Sequence, residues 1–345
     1  MRYPKSLPQG GTIGFLAPSF GCATEPYETA FRNALIKWKQ QGYRLVLGPN
    51  CFANEGVGIS NTPKKCADEV MEMFASDADV LISCGGGELM CEILPYVDFD
   101  RLAKLEPKWF MGYSDNTNLT YLLATLADTA SVYGPCASDF GREPLHQSLE
   151  DAFGVLTGEC RTVRGYGLWE KDELKDAEHP LEPYNVTEPL AIKSYLGNRE
   201  LTETEELHFS GRLLGGCMDC LVNLLGTRFD KTRQFLEKYR TDGILWFLEA
   251  CDLNVFGIRR AMWQMEEAGW FDHVSGFLIG RAANGEAMMN LDAYAAVLEI
   301  AGRKGVPVIM DVDLGHLPPM MPLVVGSVAN VTVKGNDISV EMEYK

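Results

Sequence analysis

The chain has 345 residues, of which 46% are apolar and 23% are charged, and its formal net charge is −17. This length suits two domains of roughly 150 residues each, and a surface of this sign repels phosphate backbones, which argues against nucleic-acid binding. No stretch approaches ~18 consecutive apolar residues, and no apolar leader follows the N-terminus. We therefore expect a cytoplasmic protein that does not enter a membrane.

The first part of the chain alternates strand and helix patterns. Apolar runs predict strands at residues 12–17, 43–47, 79–84, 108–112 and 130–133. Helical periodicity falls between them, at residues 26–41, 66–75 and 88–94 and beyond residue 116. Such alternation predicts a doubly wound parallel sheet, in which ligands bind at the carboxyl ends of the strands. We assign residues 1–157 to this N-terminal α/β domain.

The next segment, residues 158–208, has a different composition. It is charged and interrupted by prolines, yet it carries large aromatic side chains, among them Tyr166, Trp169 and Tyr184. A solvated linker is one interpretation. The other is a loop that closes over a cleft and stacks on substrate, since long aromatic-bearing loops in enzymes often bind ligands. We expect Trp169 to contact substrate if the second interpretation holds.

A second α/β domain is predicted from residue 209 to residue 345. Its strand patterns lie at residues 211–214, 243–249, 274–279 and 306–310, and its helical patterns end near residue 225 or span 255–268 and 291–301. Two further apolar runs flank Gly335-Asn336-Asp337 and predict a C-terminal hairpin.

Ser114 follows an apolar strand directly and precedes a predicted helix that Asn116 or Thr117 caps. A serine on a tight strand-to-helix turn has its hydroxyl exposed beside helix N–H groups, which is the geometry of a nucleophile elbow. The match to the common motif is imperfect, because Asn116 occupies the position of the second glycine. A turn-forming or capping serine is the simpler alternative.

Two other polar residues occupy similar places. Glu249 ends an apolar strand, and His316 lies in a loop bounded by Gly315 and Pro318. A serine hydroxyl needs a base to become a nucleophile, so His316 is the candidate base and Glu249 the candidate carboxylate that orients it.

Acyl transfer also needs donors for the developing oxyanion. The backbone N–H of Asp115 and an N–H in Gly85-Gly86-Gly87 are candidates, because glycine lets the backbone approach a substrate closely. The alternative for this glycine run is phosphate binding, but it fits neither G-x-G-x-x-G nor the Walker pattern.

We expect no cofactor and no metal, because closely spaced ligand motifs are absent apart from Cys217-Met218-Asp219-Cys220. That spacing is typical of redox dithiols, but it stands at a predicted helix start in a protein whose cysteines we expect to be reduced.

Several of these motifs occur in the order found in the LD-carboxypeptidase family of serine peptidases, which includes the microcin C immunity peptidases. The chain resembles that family through Pro18-Ser19, Cys84-Gly85-Gly86-Gly87, Gly112-Tyr113-Ser114-Asp115-Asn116-Thr117, Gly211-Arg212-Leu213-Leu214-Gly215-Gly216, the strand ending at Glu249, and Gly315-His316. The resemblance implies a Ser114–Glu249–His316 triad, an oxyanion hole near Gly86, Gly87 and Asp115, and a homodimer. The long segment before residue 208 is more like the immunity-peptidase branch.

Two classes of function stay open on this basis. The first is a serine hydrolase that cleaves an amide bond near a terminal carboxylate, in a murein peptide or in a peptidyl- or aminoacyl-nucleotide. The second is a non-catalytic two-domain protein that binds a small molecule. For the hydrolase, Arg281 at a strand end is our candidate for the cation that holds the substrate carboxylate.

Overall fold

A computed structural model describes residues 1–345, and they form two compact units. The first unit contains Met1–Arg161 and Asp172–Asn185, and the second contains Thr162–Lys171 and Val186–Lys345. The segment 158–208 is therefore shared between the units. None of the helices combines the length and the apolar composition that a membrane span requires.

The first unit is a parallel sheet with helices between its strands. Its elements are β1 (Thr12–Leu16), α1 (Tyr27–Gln40), β2 (Arg44–Leu47), α2 (Pro63–Ala75), β3 (Val80–Ser83), α3 (Phe99–Leu102), β4 (Trp109–Gly112), α4 (Thr117–Ala127), β5 (Ser131–Tyr133) and α5 (Gln147–Thr157). The strands run in the order β5-β4-β3-β1-β2, and every neighbouring pair is parallel. Strand order reverses beside β1, so the loops after β1 and β3 meet where such sheets bind ligands.

The second unit is built on a nine-stranded mixed sheet. Its elements are β6 (Thr162–Arg164), β7 (Leu168–Glu170), β8 (Val186–Pro189), β9 (Lys193–Leu196), β10 (Arg199–Glu200), β11 (Glu206–Cys217), α6 (Met218–Leu224), α7 (Thr232–Lys238), β12 (Ile244–Glu249), α8 (Val255–Glu267), β13 (Val274–Gly280), α9 (Ala293–Ala301), β14 (Pro307–Val312), β15 (Leu323–Val325), β16 (Val328–Lys334) and β17 (Asp337–Glu343). The sheet order is β10-β9-β14-β13-β12-β11-β16-β17-β6, and β11 to β14 form its parallel centre.

The predicted fold class, an α/β protein with a parallel-sheet core, is confirmed, but two local predictions are wrong. Residues 88–94 do not form an α-helix; a 3-10 helix, Met90–Tyr96, contains Pro95, which has no N–H to donate. Gly215 does not end its strand, because β11 continues to Cys217. A Cβ at Gly215 would lie 1.8 Å from the carbonyl oxygen of Phe247, so glycine is required inside this strand.

The segment 158–208 also holds more structure than its composition indicates. It contributes β6 to β10, and β6 and β9 join the large sheet by antiparallel pairing with β17 and β14. Short polar strands of this kind are held by tertiary pairing, which local sequence does not reveal.

Candidate active site

Ser114 lies on a strained turn directly after β4. Its φ is +61°, in the left-handed region that a non-glycine residue rarely adopts without a structural or functional reason. Glycines make room for the turn: a Cβ at Gly112 would lie 2.9 Å from the side chain of Asn116, and one at Gly86 would lie 3.3 Å from the Ser114 Cβ. This is the local geometry of a nucleophile elbow, with the glycine loop after β3 packed against the serine.

Asn116 has a different role from the predicted helix cap. The residues Ser114–Asn116 form a 3-10 turn, and α4 begins at Thr117 without a side-chain cap from Asn116. The Asn116 amide instead donates to the carbonyl oxygens of Gly85, at 2.9 Å, and Tyr113, at 3.1 Å. Asn116 therefore ties the serine turn to the glycine loop, which accounts for its place where the common motif has glycine.

The side chain of Asp115 fastens the same turn from its other side. Its buried carboxylate accepts hydrogen bonds from the hydroxyl of Ser19, from the backbone N–H of Met90 at 2.8 Å and from the amide of Asn118 at 3.0 Å. Burial raises the pKa of Asp115 to about 6 despite these donors. The Pro18-Ser19 motif thus contributes a hydroxyl that holds Asp115 in place.

In the second unit, Glu249 and His316 are in direct contact. The Glu249 carboxylate is fully buried at the end of β12, and its Oε2 lies 2.8 Å from His316 Nδ1. Burial alone would lower the pKa of His316, but the Glu249 carboxylate raises this pKa well above its usual 6.5. The pair therefore has the arrangement of a base and the carboxylate that orients it.

Glycines again set the spacing of this pair. Gly315 has a φ of +98°, and a Cβ there would lie 2.6 Å from Glu249 Oε2. Only glycine lets the loop pass this close to the carboxylate, so Gly315 is part of what brings His316 to Glu249.

Two cysteines beside this pair were not predicted as site residues. Cys217 ends β11 and is the register partner of Glu249 in the neighbouring strand. Cys251 lies close enough to His316 to help raise the pKa of the imidazole. The C-x-x-C motif contains Cys217, but only the pairing of β11 with β12 shows that this residue lies beside Glu249 and His316.

Arg281 already has protein partners. Its guanidinium forms an ion pair with the buried Asp313 at 2.6 Å and donates to the carbonyl oxygen of Asp311 at 2.9 Å. It also lies over the ring of Trp169, 4.9 Å from the centroid. The Asp313 carboxylate already balances the charge of Arg281. The contact of Arg281 with a substrate carboxylate therefore stays a prediction.

The aromatic residues of the segment 158–208 separate into two groups. Trp169 is half-buried in the second unit, where its indole N–H donates to the carbonyl oxygen of Pro189 at 3.2 Å. Tyr184 belongs to the first unit, where the guanidinium of Arg142 lies over its ring, 4.4 Å from the centroid. Arg142 also pairs with Glu173 at 2.6 Å. The buried Arg142 is thus one of the residues that fix 172–185 to the first unit.

Comparison with known sequences yields matches on both halves of the chain. Residues 13–134 match the LD-carboxypeptidase N-terminal domain, and residues 210–331 match the LD-carboxypeptidase C-terminal domain. A probable murein peptide carboxypeptidase of Bacillus subtilis is 26% identical over 334 residues, which are 94% of this chain and 90% of that protein. A putative carboxypeptidase of Treponema pallidum is 22% identical over 96% of this chain and 92% of its own length.

Solved structures share the fold. The wild-type apo form of the microcin C7 self-immunity protein MccF has a TM-score of 0.80 at 22% identity and covers 100% of this chain and 99% of its own. The muramoyltetrapeptide carboxypeptidase of Oxalobacter formigenes has a TM-score of 0.71 at 19% identity, covering 96% of this chain and 99% of its own.

Proposed function

Because the chain belongs to the LD-carboxypeptidase family, we propose that it hydrolyses an amide bond near a terminal carboxylate, with Ser114 as the nucleophile. The observation that carries the proposal is the contact of Glu249 with His316 Nδ1, at 2.8 Å. A histidine oriented by a buried carboxylate is the arrangement that turns a serine hydroxyl into a nucleophile.

In the proposed mechanism, Ser114 Oγ attacks the scissile carbonyl and His316 Nε2 accepts the proton. Glu249 holds the Nδ1–H tautomer and stabilises the imidazolium that forms. The backbone N–H groups of Asp115 and of Gly86 or Gly87 donate to the oxyanion. Protonation of the leaving amine by His316 releases the first product, and water then cleaves the ester on Ser114 by the same steps.

The packing around Ser114 supports its part in this mechanism. The residues that follow Ser114 hold its backbone at a positive φ. The Asn116 amide donates to the carbonyl oxygen of Gly85, and the Asp115 carboxylate accepts from the backbone N–H of Met90. Backbone strain that its surroundings maintain is typical of functional positions. A serine that only capped a helix would need none of this support.

For the substrate, we infer a small peptide or a peptidyl- or aminoacyl-nucleotide. The murein peptide class follows from the relatives whose names carry it. The nucleotide class follows from MccF, which shares the fold and has been solved in complex with aspartyl sulfamoyl adenosine. A homodimer, which the family resemblance implies, is a prediction that light scattering tests.

Labelling with a fluorophosphonate probe tests the proposal. We expect one probe adduct on the wild-type chain, at Ser114, and none on Ser114→Ala. Turnover of a murein tetrapeptide and of an aminoacyl sulfamoyl adenosine then assigns the substrate class. A chain that binds one of these compounds but accepts no probe and cleaves neither compound would instead be a non-catalytic binding protein.

A further inference from the structure

The carboxyl ends of β11 and β12 place a thiol beside the Glu249–His316 pair. Cys217 and Glu249 are the last residues of these parallel strands and are register partners. One ligand atom from each of Cys217, Glu249 and His316 lies within 4.8 Å of the others. These residues are far apart in sequence, so no spacing motif reveals the cluster.

A second thiol lies at the same place. The Cys251 thiol lies beside the His316 imidazole, and Cys251 comes two residues after Glu249. The carboxylate of Asp219 holds both cysteines: its Oδ2 accepts from the Cys217 thiol at 3.3 Å and from the backbone N–H of Cys251 at 3.1 Å. The two thiols are therefore fixed on the protein before any ligand arrives.

Two thiols, an imidazole and a carboxylate are the ligand types that Zn²⁺ and other soft divalent cations prefer. Ligand atoms around a tetrahedral Zn²⁺ lie about 3.3–3.8 Å apart, given Zn–N, Zn–O and Zn–S bonds of about 2.0–2.3 Å. The ligand atoms of Cys217, Glu249 and His316 all lie within 4.8 Å of one another, so these three residues need only small side-chain movements to reach that geometry. We propose that Cys217, Glu249 and His316 form a zinc site, with Cys251 as the candidate fourth ligand.

Zinc on either ring nitrogen of His316 stops hydrolysis: on Nε2 it occupies the lone pair that accepts the proton, and on Nδ1 it leaves the ring proton on Nε2. A metal-bound Glu249 also no longer orients the ring. Each cysteine that binds releases its thiol proton to the solvent as its Zn–S bond forms. The inhibitory consequence rests on the proposed function, whereas the binding does not. The site is thus an off-switch that responds to soft metal ions and not to Mg²⁺.

Titration with Co²⁺, a spectroscopic substitute for Zn²⁺, tests binding without any turnover. We expect thiolate-to-cobalt charge-transfer absorption in the wild-type chain that zinc abolishes by displacement. Cys217→Ser, which keeps a hydroxyl to bond Asp219, should lose most of this absorption, and Cys251→Ser should lose part of it. Cys160→Ser is the matched control in the first unit and should keep it.

The second measurement is inhibition by Zn²⁺, with each variant normalised to its own zinc-free rate and a phosphine as the reductant. Cys217→Ser should raise the half-inhibitory zinc concentration by about tenfold or more, since even outer partners of metal ligands are worth about 10–100-fold in affinity. Equal zinc sensitivity, or equal cobalt absorption, in wild type and Cys217→Ser would overturn the site. If the chain proves to have no hydrolase activity, the cobalt titration still decides whether the site exists.

Discussion

Two buried carboxylates stand beside the proposed catalytic residues, and their surroundings differ. Asp115, next to Ser114, accepts hydrogen bonds from the neutral donors Ser19, Met90 and Asn118, and its pKa is raised to about 6 by burial. Glu249 instead faces the imidazole of His316, whose pKa it raises. The Asp115 carboxylate holds the backbone of the Ser114 turn in place, whereas the Glu249 carboxylate stabilises the protonated form of His316.

This difference separates two ways of building a site. In the first unit, the proposed nucleophile is positioned by backbone conformation and by the close packing of glycines, so its position depends on steric fit. In the second unit, the histidine is positioned by electrostatic pairing, so its function depends on charge and on pH. Substitutions chosen to change only a hydroxyl, a charge, an ion pair or a stacked ring can test this contrast.

Ser114→Ala should have the largest effect. It removes the hydroxyl while keeping the turn, so kcat should fall by about 10⁴-fold or more with little change in Tm. Ser6→Ala, at an exposed serine of the same unit, should change neither quantity. Activity of Ser114→Ala within about tenfold of wild type would require a mechanism without a serine nucleophile.

Glu249→Gln should lower kcat by about 10²–10⁴-fold, because the amide keeps the shape of the carboxylate but not the charge that stabilises the imidazolium. Steady-state kinetics provide the measurement, with Glu267→Gln on the surface of the same unit as the control. A loss confined to KM would contradict the assigned role.

The same variant should move the pH profile. The base must be neutral, so wild-type activity should rise with pH through an apparent pKa above 6.5. In Glu249→Gln the cause that raises this pKa is gone while burial, which lowers it, remains, so the rise should shift to lower pH. The free energy of unfolding should change with pH in the opposite direction to activity. The Glu249–His316 pair stabilises the fold below pH 6.5, and this contribution is lost as pH rises through the pKa of His316 in the folded protein.

The contrast between the units also explains what the sequence could predict. The Ser114 turn and the glycine loop lie in short contiguous motifs, because backbone geometry is local, and both were identified from residue order. Glu249 and His316 were predicted from their strand-end positions. Their contacts with Cys217 and Cys251, and the pairing of Arg281 with Asp313, depend on strand register in the second unit, which no local pattern encodes.

Arg281→Ala should mainly reduce stability. It leaves Asp313 buried without its ion-pair partner, which typically costs about 3–5 kcal/mol. Chemical denaturation provides the measurement. Arg259→Ala, which removes the more exposed pair with Glu299, is the control and should cost less than about 1 kcal/mol. A raised KM with unchanged stability would favour the predicted role of Arg281 in holding the substrate carboxylate.

Trp169→Ala should have the smallest effect, and one that depends on the substrate. The indole is half-buried and lies against Arg281, so one face of the ring is occupied by protein. Stacking of a nucleobase on such a ring contributes about 0.5–1.5 kcal/mol beyond area burial, so KM for an aminoacyl sulfamoyl adenosine should rise several-fold. A murein tetrapeptide has no base to stack, so its KM should change less.

Trp263→Ala, at an exposed tryptophan on α8, controls for loss of a large side chain. Equal constants for Trp169→Ala and wild type on both substrates would remove Trp169 from the site and leave it as a structural partner of Arg281.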